Sequence, residues 1–167
     1  MKWDELVKHI PIFYISMLLV LNVLSGCSQN ADSKADIFQY KNSYVGDNSA
    51  VGNIVNQLNH SNELKQISLH TKEQPYGITL EYNDITAKNA DKEIKETVIA
   101  NATYLFALIQ NVDWIAFKFP ANEFTVTKTE IQHWYNNKLD GFENEEDLNL
   151  IKEHLNSEDS INQFFSK

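Results

Sequence analysis

The sequence predicts an α+β fold, with a four-stranded antiparallel sheet of two hairpins packed against a long central helix, and additional short helices. Three observations lead to this prediction. Apolar and polar residues alternate in two pairs of short segments, as they do in half-buried strands. Between these pairs, residues 87–111 repeat their apolar positions at the spacing of a helix. Each pair of strands is also interrupted by a segment with Pro, which favours a turn.

Local patterns predict the first elements. Asp47, Asn48 and Ser49 are residue types that cap helices, and an apolar stripe of helical spacing follows them directly. The sequence therefore predicts a short helix there. Strands are predicted over residues 67–70 and 78–82, because apolar side chains alternate with polar ones in both segments. The connection between them contains Pro and Gly, as the turn of a hairpin would.

The same reasoning places the remaining elements. After the central helix, strands are predicted over residues 113–119 and 123–127. Thr127 and Glu130 have the spacing of a capping box, which predicts that a third helix begins at this point. The acidic C-terminal tail carries apolar residues at helical spacing, so one or two short helices are expected in it.

Composition limits the classes of ligand. The chain has 167 residues and a formal net charge of −9, which disfavours nucleic acid because phosphate binding relies on clustered basic residues. All 14 basic residues are Lys, so the chain has no guanidinium fork for holding a carboxylate or phosphate in a fixed orientation. Nucleic acid is therefore not an expected partner, and small anions are poor candidates.

The N-terminal region has the pattern of an export signal. Residues 10–24 form an apolar run of the length of a signal-peptide core, and small residues follow it. The segment Leu24-Ser25-Gly26-Cys27 resembles the lipobox of bacterial lipoproteins. That resemblance implies cleavage before Cys27 and a diacylglycerol on its thiol. The alternative is an uncleaved anchor helix with an incidental Cys, and the mixed charges before the apolar run depart from the usual positive bias.

This interpretation divides the chain into four parts and predicts its location. The domain would stand at the outer face of the cytoplasmic membrane, held in the lipid bilayer by the acylated Cys27. The predicted parts are a lipoprotein signal peptide at 1–26, the lipidated Cys with a flexible tether at 27–36, an α+β domain at 37–139 and an acidic helical tail at 140–167.

Catalytic and metal sites are not predicted. Glu130 and His133 share one face of a helix, but a di-metal carboxylate site needs two such pairs and two further Glu residues. A solvated helix face explains the single pair. We therefore expect no cofactor and a non-enzymatic protein. The alternative is an envelope hydrolase, or an accessory subunit of a membrane peptidase, that uses dispersed residues such as His133 and Asp47.

Two regions are candidates for interaction. In the first, Tyr44, Gly46, Asp47 and Asn48 form a loop at a helix start, where Gly46 would allow close backbone approach and the helix would offer free N–H groups. Simple helix capping is the alternative. In the second, Trp114 is predicted on the polar face of the sheet, where an exposed Trp would anchor an envelope protein or peptide. The alternative is that the first or third helix covers this face.

Several segments of the domain resemble a family of unknown function. They are residues 40–49, 51–54, 101–109 and 111–113, and the resemblance covers roughly residues 37–139. The chain is similar to DUF4825-like domains of Gram-positive bacterial lipoproteins, which also occur attached to membrane metallopeptidases of the β-lactam-sensor type. The resemblance implies a sensory or accessory role at the cell surface. It brings no catalytic residues, since none is established for the family.

Overall fold

The computed structural model describes residues 36–136, 139, 142, 144, 147 and 149–166. The predicted signal peptide, Cys27 and nearly all of the predicted tether lie outside the described residues. In the described part, no helix combines the length and the hydropathy needed to cross a membrane. The strands are β1 (Leu64–His70), β2 (Gly77–Tyr82), β3 (Trp114–Lys118) and β4 (Glu123–Thr127). The α-helices are α1 (Asn48–Val55), α2 (Ala90–Leu108), α3 (Lys128–Trp134), α4 (Asn149–Leu155) and α5 (Glu158–Phe165).

The four strands form one sheet in the order β1-β2-β3-β4. β1 pairs antiparallel with β2, and β3 pairs antiparallel with β4, so both predicted hairpins are present. The α+β class and the four-stranded sheet are therefore confirmed. The pairing between the hairpins differs from the antiparallel arrangement that we expected, because β2 and β3 are parallel. The sheet is mixed.

Helix α2 is the reason for the parallel pair. It has 19 residues and is therefore about 28 Å long at 1.5 Å per residue. A strand of six residues such as β2 spans about 20 Å. The helix can thus return the chain along the whole sheet, so that β3 starts at the same end as β2 and runs in the same direction. Parallel neighbours need such a crossover, whereas the two hairpins do not.

One face of the sheet and helix α2 form most of the core. Burying each large apolar side chain contributes about 1.5–3 kcal/mol, so this layer is the main source of stability. Helix α2 also contacts α1, α3, α4 and α5. The inward sheet residues are Ile78, Leu80, Tyr82, Ile115, Phe117 and Val126, and the buried residues of α2 include Ile94, Val98, Ile99, Ala102, Leu105 and Phe106.

Helix starts are capped as the sequence predicts. The Asp47 carboxylate accepts a hydrogen bond of 2.9 Å from the backbone N–H of Ala50 at the start of α1. At α3, the Thr127 hydroxyl accepts from the Glu130 N–H at 3.3 Å, and the Glu130 carboxylate accepts from the Thr127 N–H at 2.8 Å. This reciprocal pair is the predicted capping box.

The C-terminal helices pack back onto the domain. Ile161 and Phe164 of α5 are buried, and the Phe164 ring lies 5.2 Å from the ring of Trp134 in α3. The neighbouring Phe165 ring lies 5.1 Å from Phe124 of β4. The edge-to-face geometry of both pairs is favourable for aromatic rings. The apolar residues of the acidic tail therefore cover part of the core.

A buried amide connects three parts of the core. Asn101 in the middle of α2 is 1% exposed. Its side chain donates to the backbone oxygen of Asn59 at 2.9 Å and accepts from the Asn59 N–H at 3.1 Å. It also donates to the Tyr82 hydroxyl at 3.2 Å. Burial raises the pKa of Tyr82 to about 12, while the bond from Asn101 acts in the opposite direction. The Tyr82 hydroxyl therefore stays protonated at neutral pH.

Replacing this amide tests its structural role. We expect Asn101→Ala to lower the free energy of unfolding by about 2 kcal/mol, because it leaves the buried Tyr82 hydroxyl and the Asn59 backbone without their partners. Urea unfolding followed by circular dichroism measures the change. The matched control is Asn53→Ala, an exposed position on α1, which should not destabilise the protein. Equal losses in both variants would contradict the role of the Asn101 bonds.

Candidate functional site

The face of the sheet opposite to α2 carries a cleft beside Trp114. Strand pairing places His70, Gly77 and Trp114 in one row across β1, β2 and β3. The side chains of the row point away from the core, because the strand period of two puts Ile78 and Ile115 on the opposite face. We call the cavity of about 500 Å³ at this row the Trp114 cleft. It is lined by Leu69, His70, Thr71, Lys72, Glu73, Pro75 and Trp114.

Three contacts fix the indole of Trp114. A Cβ atom at Gly77 would overlap the fused-ring atoms of the indole, so the ring occupies the space that a side chain at Gly77 would need. The indole N–H donates a hydrogen bond of 3.0 Å to the backbone oxygen of Pro75. The His70 ring lies 4.9 Å from the Trp114 ring, with an angle of 41° between the planes. The ring is therefore held in one position.

The surrounding sheet face is polar, and Thr79 and Ala116 in its two central strands are buried. The Nε2 atom of His70 lies 2.9 Å from the hydroxyl of Thr79. His70, Lys118 and Thr125 are exposed, and Trp114 is half-buried. Trp114 lies beside His70 on the face opposite to α2, where the sequence placed it.

Charges on this face nearly balance. Lys72 and Glu73 at the cleft are both exposed and carry opposite signs. Farther along the sheet, the Lys118 ammonium lies 3.6 Å from the Glu123 carboxylate. Such exposed pairs contribute less than about 1 kcal/mol to stability. Their effect is to leave the face without a strong field of either sign.

The loop at residues 43–48 is the other predicted interaction region. Val45 is fully buried, and its N–H donates a hydrogen bond of 2.8 Å to the Asn111 side chain. Tyr44 is 56% exposed. Asp47 is used to cap α1, so the capping interpretation is confirmed for it. Asn48 is the exposed first residue of that helix.

The surroundings of Gly46 are open. No atom lies within 4 Å of a Cβ built at Gly46, and none of the described glycines has a positive φ. No other described part of the chain packs closely against Gly46. Gly77, which was not predicted, is the glycine whose missing side chain matters. The loop residues Tyr44, Gly46, Asp47 and Asn48 do not line the Trp114 cleft.

A second pocket lies between α3 and the C-terminal helices. Its volume is about 460 Å³. The Glu130 carboxylate at this pocket is engaged in the capping box, and Asp47 is not among the lining residues. In the described ranges, no group of three His, Cys, Asp or Glu side chains could hold a metal ion. The pocket is lined by Glu130, His133, Trp134, Asn136, His154, Ser160, Gln163 and Phe164.

Comparison with known families identifies one match. The family model described as a domain of unknown function, DUF4825, matches residues 37–132, which is more than half of the chain. The matched segment runs from the first described turn into α3, and it includes both the 43–48 loop and the Trp114 cleft. No curated protein and no solved structure matches the chain.

The role of Gly77 in holding the indole can be tested directly. We expect Gly77→Ala to push the Trp114 ring away from the Pro75 oxygen, because the added methyl group and the ring cannot share one space. The indole N–H resonance of Trp114, assigned with Trp114→Phe, should then shift in a ¹⁵N-correlated spectrum. Overpacking should also lower the free energy of unfolding by about 1–3 kcal/mol. Gly46→Ala is the control and should change neither quantity, because its surroundings are open. An unmoved resonance in Gly77→Ala would contradict the account.

Proposed function

Because the chain belongs to the DUF4825 family of domains of unknown function, we propose that it is a lipid-anchored protein of the cell envelope. In this proposal the domain stands at the outer face of the cytoplasmic membrane and serves as a non-enzymatic binding or sensory accessory module. The observation that carries the binding role is the Trp114 cleft, in which a half-buried indole is fixed on a polar face of the sheet.

The anchoring part of the proposal is supported by the lipobox. The small residues Ser25 and Gly26 precede Cys27, the one cysteine of the chain. A diacylated thiol would bury two acyl chains, and each CH₂ contributes about 0.8 kcal/mol, which is enough for stable attachment. The net charge of −9 gives the domain no general attraction to anionic lipid head groups. Attachment would therefore depend on the lipid at Cys27.

The binding part is supported by how the cleft is built. A ligand that docks on Trp114 does not need to order this ring, because Gly77, Pro75 and His70 already hold it. Ordering a side chain on binding costs about 0.5–1.5 kcal/mol, so a fixed ring favours affinity. Its neighbours supply stacking and hydrogen-bonding groups. These are the properties of a recognition site, and they favour binding of an envelope component over chemistry.

The accessory part is supported by the family resemblance. DUF4825-like domains that stand beside membrane metallopeptidases suggest that this domain presents or senses a molecule near the membrane surface. The lipid at Cys27 would keep the Trp114 cleft within a tether length of that surface. An envelope protein or peptide is one partner that fits this arrangement.

Acylation can be measured with labelled palmitate. We expect the full chain to incorporate the label and to sediment with membranes, because the thiol of Cys27 is the acyl acceptor. The variant Cys27→Ala should lose both the label and the membrane association. Ser28→Ala, at the neighbouring position, should keep both. Label that persists in Cys27→Ala, or an unlabelled wild-type protein, would contradict lipid anchoring.

A further inference from the structure

We propose that the Trp114 cleft binds a neutral saccharide, with one pyranose ring stacked on the free face of the indole. This inference rests on the proposed function, because it names the ligand of the same cleft. It follows from the orientation of the indole, the groups around it, the charge of the cleft and the shape of the neighbouring sheet edge.

The orientation of Trp114 turns one flat face of the indole away from the sheet. The three ring atoms that a Gly77 Cβ would meet are Cε2, Cδ2 and Cζ2, which surround the fused bond of the indole. The ring is therefore laid face-on against the backbone of Gly77, and its second face points away from the sheet. The π-face of an indole is electron-rich. It attracts the weakly positive C–H groups that cover one side of a pyranose ring.

The rim supplies partners for hydroxyl groups. Thr71, Lys72 and Glu73 are exposed at the cleft, and they provide a hydroxyl, an ammonium and a carboxylate. His70 is exposed, and its Nε2 atom lies 2.9 Å from the hydroxyl of Thr79. A sugar hydroxyl both donates and accepts hydrogen bonds. A rim of mixed donors and acceptors around a flat apolar surface therefore matches a sugar ring.

The charge and size of the cleft favour a neutral small ligand. Lys72 and Glu73 contribute one charge of each sign, and the chain contains no Arg for holding an acid group. The volume of about 500 Å³ is in the usual range of small-molecule sites, about 300–1,000 Å³. Phosphorylated or strongly acidic ligands would find no matched charge here.

The edge of the sheet disfavours an added peptide strand at the end of β1 that is remote from the cleft. β1 is an edge strand, and its pairing with β2 shifts register between Leu64 and Gln66. The extra residue at this bulge is Lys65, whose side chain is 63% exposed. A bulge and an exposed Lys are devices that prevent another strand from pairing with an edge. A peptide that pairs along the whole length of β1 is therefore disfavoured.

The test uses the full chain in a detergent without a sugar head group. Chitotetraose and cellotetraose are titrated by calorimetry, and saturation-transfer NMR records which ligand protons lie against the protein. We expect saturable binding of at least one saccharide, with the strongest transfer to ring C–H protons. Trp114→Ala should weaken the affinity at least tenfold. Gly77→Ala, which keeps the indole but displaces it, should do the same.

Control variants separate stacking from folding. Trp114→Phe keeps a smaller ring and should retain weak binding, while Trp134→Phe lies in α3 outside the cleft and should bind as the wild type does. Absence of saturable binding of both saccharides, or binding that survives Trp114→Ala, would overturn the saccharide assignment.

A proline-rich peptide is titrated in parallel. Peptide binding that depends on Trp114 without saccharide binding would overturn the ligand class and leave the proposed function standing, and failure of both ligands would overturn both.

Discussion

Burial of α2 against the apolar side of the sheet is the constraint on which the rest of the structure depends. Because the helix must return the chain across the sheet, β2 and β3 run parallel and the two hairpins join into one four-stranded layer. The opposite face carries Trp114 and the exposed side chains of His70, Lys118 and Thr125. The amide of Asn101 fixes the position of α2 in this packing, because its three hydrogen bonds require one placement of the helix against Tyr82 and Asn59.

On the face of the sheet opposite to α2, the indole of Trp114 is held in a fixed position. Gly77 has no side chain, so the indole of Trp114 occupies the space above its backbone instead of projecting freely into water. The Pro75 oxygen then satisfies the indole N–H. A ring held in this way loses less freedom on binding than a flexible one. The Trp114 cleft is therefore a recognition surface that exists before any ligand arrives.

Local patterns predicted most of the elements, and long-range partners account for what they missed. The cap at Asp47 and the capping box at Thr127 depend on neighbours within three residues, so the sequence contains all that they need. The pairing of β2 with β3 depends on how α2 crosses the sheet, which no local period encodes. The partner of the Asn101 amide is Asn59, 42 positions away, and nothing in either segment identifies it.

In the Trp114 cleft too, some features follow from local sequence patterns and others depend on residues far apart in the chain. Strand alternation was enough to place Trp114 on the polar face beside His70, and an isolated Gly within a strand is a known signal of close approach. Gly77 was instead assigned to the turn before the predicted strand 78–82, so this signal was missed. The contact between Gly77 and Trp114 requires the parallel register of β2 and β3.

Site-specific photo-crosslinking in cells that express the full chain tests the central claim most directly. A benzophenone amino acid at position 71 stands at the rim of the Trp114 cleft, and one at position 49 stands on the exposed start of α1 beside the other candidate region. The account predicts that an envelope component becomes crosslinked from position 71 and not from position 49. Crosslinks from position 49 alone would contradict it.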